Sequence, residues 1–73
     1  MTILVTGSTG HLGRLVIDAL LRDGTDPEAI VAGARDVSRV ADLAERGVRA
    51  ARLDYDDPSS VTDAMRGVER VVL

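Results

Sequence analysis

The stretch Ile3-Leu4-Val5-Thr6-Gly7-Ser8-Thr9-Gly10-His11-Leu12-Gly13 decides how the rest of the chain is read. Thr2 to Val5 is a short, continuous β-favouring run, the pattern of a strand buried on both faces. From His11 to Arg22 the residues Leu12, Leu15, Val16, Ala19 and Leu20 fall on one helical stripe, which Asp23-Gly24 ends. A strand, a glycine turn and a helix in this order aim unpaired backbone N–H groups and a helix dipole at one point. That geometry suits a diphosphate. The three glycines divide the work: Gly7 permits the tight turn, Gly10 lets the backbone approach the ligand, and Gly13 lets the helix pack on the sheet. Ser8 and Thr9 add hydroxyl donors, and His11 offers its backbone N–H. Leu12 and Val16 are expected to point inward. The spacing is G-x-x-G-x-x-G, not the commoner G-x-G-x-x-G.

Periodicity keeps alternating beyond this point. The loop Thr25-Asp26-Pro27-Glu28 leads into a second apolar run, Ala29 to Ala34. From Asp36 to Arg46, Val37, Val40, Ala41 and Ala44 predict a helix closed by Gly47. Val48 to Leu53 is a third strand, and Arg49 and Arg52 mark it as an edge. Asp57-Pro58 reads as an N-cap followed by proline at the first helical position. That helix runs to Arg66 with Val61, Ala64, Met65 and Val68 on its apolar side, and Gly67 closes it. Glu69 to Leu73 begins a fourth strand. The order implies an α/β, doubly wound parallel sheet with strands in the order 3-2-1-4. Residues 1–73 thus read as the N-terminal part of an NAD(P)-binding Rossmann domain, truncated after the fourth strand. The remainder of the same domain is expected to cover that strand, whose bare apolar edge would otherwise invite pairing.

Composition narrows the function. Seventy-three residues make at most one small domain, with no cysteine and a single histidine, so neither a thiolate nor a His-rich metal site is expected. The formal charge is −3 with acids and arginines interspersed, and Tyr55 is the one aromatic residue. Both features argue against a nucleic-acid partner. The N-terminus has no basic region and Gly7 interrupts its apolar run early, which gives the expectation of a soluble, cytoplasmic protein with no membrane association.

All nine basic residues are arginine. Chemistry that needs a lysine, such as a Tyr-x-x-x-Lys pair, is therefore not expected within these residues; Tyr55 is followed four positions later by Ser59. No catalytic residue is assigned. In a dinucleotide fold the residue ending the second strand faces the adenosine ribose, where an acid selects NAD and an arginine accommodates the 2′-phosphate of NADP. Arg35 occupies that position and points to NADP. Asp36, one place later, keeps NAD possible. Arg39 is either a second cation for the phosphate or a solvated helix position. His11 sits where a helix dipole disfavours a cation, so its side chain is given no catalytic role.

The pattern Thr6-Gly7-x-Thr9-Gly10-x-Leu12-Gly13 resembles the extended and atypical short-chain dehydrogenase/reductases. Gly33-Ala34-Arg35-Asp36-Val37-Ser38-Arg39 and Leu53-Asp54-Tyr55-Asp56-Asp57-Pro58 narrow the resemblance to the NmrA-like branch, of the NAD(P)H:quinone oxidoreductase type. The resemblance implies that Asp54 accepts from the adenine amino group and that the backbone around Tyr55 lines the same pocket. Read from the residues alone, Asp54 equally starts a turn and Tyr55 equally serves as a half-buried cap on the core. The implied activity is hydride transfer from NADPH to a small oxidised acceptor such as a quinone. The alternative is a dinucleotide-binding, redox-sensing regulator without turnover. Taken alone, the 73 residues are expected to be inactive.

Overall fold

The computed structural model describes residues 2–7 and 10–72. Four short parallel strands, β1 (Ile3–Val5), β2 (Ile30–Ala34), β3 (Arg49–Arg52) and β4 (Arg70–Val72), form one sheet in the order β3-β2-β1-β4. This is the expected doubly wound order. β1 aligns Leu4 with both Val31 of β2 and Val71 of β4, and β2 aligns Ala34 with Arg52 of β3. The crossovers are α1 (His11–Arg22), a 3-10 turn (Val37–Val40) running into α2 (Ala41–Glu45), and α3 (Pro58–Met65). A further 3-10 turn, Pro27–Ala29, is capped by Asp26, whose carboxylate accepts from the Glu28 N–H at 3.0 Å.

Because successive strand residues point to opposite faces, the two central strands feed two cores. Ile3, Val5, Ile30, Ala32 and Ala34 join Ile17, Val40, Leu43 and Val48 on the α1–α2 side. Leu4 and Val31 join Leu53 and Ala64 on the α3 side, a smaller cluster. Gly33 belongs to that thinner layer. A Cβ there would stand 3.2 Å from Leu53 Cδ2 and 3.3 Å from Leu4 Cδ1, so the missing side chain is what lets Leu53 close over β2.

Helix positions agree with expectation better than helix phases do. α1 spans the predicted residues, but its buried line runs through Gly13 and Ile17, flanked by Val16, Leu20 and Leu21. Leu12 is 69% exposed and Leu15 50%, so Leu12 does not point inward. The contact line is a regular i, i+3, i+4, i+7, i+8 series that starts on a glycine, and counting apolar residues misses it. In the second crossover the buried residues are Val40 and Leu43, while Val37, Ala41 and Ala44 are exposed. The 3-10 opening turn repeats every three residues and resets the phase. α3 buries Ala64, with Val61 and Val68 packed beside it, as expected, but it also buries Ser60 and leaves Met65 exposed.

Strand ends shift slightly. β3 pairs over Arg49–Arg52, with Val48 and Leu53 buried beyond its ends. β4 starts at Arg70 because the Glu69 and Arg70 N–H groups both donate to the Thr2 carbonyl, at 3.0 and 3.2 Å. Leu73 lies outside the described residues. Among the described residues, no helix is long and apolar enough to cross a membrane.

Candidate nucleotide site

The chain leaves β1 for β2 on one side, and the crossover from β3 carries it to β4 on the other. This reversal opens a crevice at the carboxyl ends of the strands, where open α/β sheets bind ligands. Two clefts lie there. One, of about 550 Å³, is lined by Gly7, Gly33, Ala34, Arg35, Asp36, Arg39, Leu53 and Tyr55. The other, of about 410 Å³, is bounded by the β1 end and the start of α1, with Gly10, His11 and Leu12 in its wall. Gly7 and Tyr55 line both, so the two form neighbouring halves of one groove.

The glycine turn is held by its backbone. The Thr6 N–H donates to the Val72 carbonyl at 2.9 Å, and Thr6 Oγ1 reaches the same oxygen at 3.3 Å, pinning the start of the turn to β4. Gly7 then adopts φ +62°, a conformation that L side chains rarely take. The Gly10 N–H donates back to the Gly7 carbonyl at 2.9 Å, and a Cβ on Gly10 would meet that oxygen at 3.3 Å. Gly7 and Gly10 thus bring bare backbone to the start of a twelve-residue helix. Ser8 and Thr9, expected to donate from within the turn, lie outside the described residues. His11 and Leu12 are exposed at the mouth, so the side chain expected to anchor α1 instead faces the cleft.

At the other end, Arg35 leaves β2 with 76% of its side chain exposed, and its Nε lies 4.0 Å from Asp54 Oδ1. Asp36 ends the turn by capping: its Oδ1 accepts from the Ser38 N–H at 3.0 Å and from Ser38 Oγ at 2.7 Å. These bonds, with the Ser38 hydroxyl foremost, hold its carboxyl below the usual carboxylate range. Asp36 is therefore occupied as a cap, which weakens its candidacy as an acid that selects NAD. Arg39 follows on the same 3-10 turn and lines the same cleft.

Asp54 is not a lining residue of either cleft. Its Oδ1 accepts from the Asp56 N–H at 2.9 Å and its Oδ2 lies 3.5 Å from Arg52 Nη2, while its own N–H donates to Ser60 Oγ at 3.0 Å. Asp54 thus builds the turn that carries Tyr55 to the rim. Tyr55 is 65% exposed there, so it does not cap the core. Two contributors escaped the sequence reading. Ser60, buried on α3, also reaches the carbonyls of Asp54 (3.0 Å) and Asp57 (2.8 Å) and fixes this turn from below. Gly33 floors the cleft. Among the described residues there is no group of three or more His, Cys, Asp or Glu side chains able to hold a metal.

The chain as a whole is similar to known proteins. The model of the NmrA-like family matches residues 1–73. Quinone oxidoreductase 2 of Escherichia coli is 39% identical over 72 residues, covering 97% of this chain and 24% of that protein. Sterol demethylase protein B of Methylococcus capsulatus is 44% identical over 71 residues, again 97% of this chain but 21% of the relative. The solved triphenylmethane reductase of Citrobacter, complexed with NADP(H), superposes with a TM-score of 0.93 at 38% identity, over 97% of this chain and 25% of that one. The E. coli quinone oxidoreductase complexed with NADPH gives 0.85 at 38% identity, over 96% and 24%. The chain spans about a quarter of the length of these relatives.

Proposed function

The chain belongs to the NmrA-like family, and from that premise we propose that it is the NADPH-holding N-terminal part of an oxidoreductase acting on a small oxidised acceptor such as a quinone. The observation that carries this reading is the groove itself. One half is bounded by Gly7 and Gly10 between β1 and α1, and the other carries two arginines, Arg35 and Arg39, after β2. A dinucleotide with a 2′-phosphate has matching chemistry, a diphosphate in the middle and a further anion at the adenosine end.

The residues present fit such a group. Gly7 takes a backbone conformation rare for L side chains and Gly10 leaves the space that a Cβ would fill, and His11 begins the helix whose first N–H groups would face the diphosphate. Arg35 offers a planar, permanently charged fork to the 2′-phosphate, with Arg39 as its second cation. Tyr55 would line the adenine end, and Asp54 would shape that end by holding the Tyr55 turn. When bound, NADPH would supply the hydride; these residues would hold its adenosine and diphosphate portions. The nicotinamide and the acceptor would be met by later parts of the intact protein, which would also cover the free edge of β4.

NADPH and NADH titrations of the intact protein and its Arg35→Ala variant test the assignment. NADPH affinity should fall by about 1.5–3 kcal/mol, the worth of a charged hydrogen bond, with NADH little changed. Equal loss of both cofactors would remove the 2′-phosphate role. NADPH oxidation across a quinone series then tests the activity; tight binding without turnover on any acceptor would favour a sensor.

A further inference from the structure

Arg14 is a cation in the first turn of α1, where the helix dipole is unfavourable to it. It belongs to neither core cluster. Its guanidinium leaves α1 and spans to the second crossover. Nη1 donates to Asp42 Oδ2 at 2.6 Å, and Nη2 donates to Asp42 Oδ1 at 3.1 Å and to the Arg39 carbonyl at 2.8 Å. Asp42 sits in the first turn of α2, and the Arg39 carbonyl belongs to the 3-10 turn that borders the adenosine-end cleft. One side chain therefore joins the helix that opens at the glycine turn to the segment that carries Arg39.

The consequence is metric. The glycine turn and the Arg35–Arg39 segment follow different strands, and sheet pairing fixes β1 against β2 only as far as Val5 and Ala32. Beyond the paired residues the separation of the two anion-binding ends depends on what ties the crossovers together. A bidentate fork on Asp42 plus a third bond to the Arg39 backbone is a rigid tie, because the guanidinium is planar and its donors are fixed in direction. The same fork uses the Arg39 main chain and leaves that residue's own guanidinium uncommitted to Asp42.

We propose that Arg14 is a positioning residue for 2′-phosphate recognition, holding the Arg39 segment at a set distance from the glycine turn so that NADPH is engaged at both ends at once. This rests on the assignment of the groove to NADPH. Arg14 itself lines neither cleft.

The test uses the intact protein and equilibrium titration with NADPH and NADH. Arg14→Ala should weaken NADPH about fivefold to tenfold while NADH changes less than twofold, a coupling typical of residues in one hydrogen-bond network. The effect should vanish in an Arg39→Ala background, since there is then no guanidinium left to position. Arg14→Lys, which retains the charge but not the fork, should recover only part of the NADPH affinity. If Arg14→Ala does not fold, Asp42→Asn weakens the same tie from the other side and should also reduce NADPH affinity selectively. Equal losses for both cofactors, an undiminished effect without Arg39, or full recovery with lysine would each overturn the proposal. Wild-type protein that fails to prefer NADPH would instead overturn the underlying assignment, which separates the two failures.

Discussion

The turns leaving β2 and β3 are built alike but differ in the charge they leave open. Each ends at an aspartate that caps the next segment through a serine two residues later. Asp36 accepts from the Ser38 N–H and hydroxyl at 3.0 and 2.7 Å, and Asp57 accepts from those of Ser59 at 3.2 and 2.7 Å. Each also has an arginine beside it. After β3, Arg52 is spent on acids: Nη1 donates to Asp57 Oδ2 at 2.8 Å, and Nη2 lies 3.5 Å from Asp54. After β2, Arg35 meets an acid only at 4.0 Å and stays 76% exposed at the cleft. The same local motif therefore makes an internally neutralised corner in one place and a cation open to an anionic ligand in the other. What differs is whether the arginine lies within the strand, level with the cap, or just past its end.

Exchanging the roles of these arginines gives the largest expected effect. Arg35→Ala should cost NADPH roughly tenfold to a hundredfold in affinity, as for a charged hydrogen bond, whereas Arg52→Ala should leave the NADPH-to-NADH ratio unchanged. A ratio that shifts equally in both variants would erase the distinction between the turns. Next is Gly33→Ala, which fills the contact between the ends of β2 and β3. Crowding of Leu53 and Leu4 should cost about 1–3 kcal/mol in denaturant unfolding, the usual range for overpacking. A neutral result would mean that the two leucines move aside without loss.

Cap removal should be smaller and unequal. Asp57→Asn should lower the melting temperature more than Asp36→Asn, because only Asp57 also holds an arginine. Acid titration sharpens the same point. Chiefly through Arg52 and then the Ser59 hydroxyl, the Asp57 carboxyl is lowered from 3.8 to about 2. A depressed carboxylate contributes its stability above the unfolded pKa and loses it as pH falls through the folded one. Stability should therefore decline between about pH 4 and pH 2, and Asp57→Asn should flatten that decline more than Asp36→Asn does. Urea midpoints measured across that range read the difference directly.

The arginines also show what could be read in advance. Arg35 was legible because its place follows from counting to the end of an apolar run. Asp54 was legible as a polar residue at a strand end, but its bonds to Asp56 and Ser60, which turn it toward the loop, depend on a helix residue six positions away. Arg14 gave one local signal, a cation at a helix start; its partners, 25 and 28 residues distant, gave none.

Taken alone, the order of residues determined the alternation of strands and helices, the 3-2-1-4 sheet and the place of the glycine turn. These depend on local periodicity and on the handedness of crossovers, which short stretches of chain already encode. Only the tertiary structure decided which face of each helix is buried, that Leu12 and Tyr55 face the groove, and which arginines are neutralised. Helix rotation shows in the buried line through Gly13 and Ile17 and in the phase set by a 3-10 turn, and ion pairing is set by distances across crossovers. Neither is a property of any one segment.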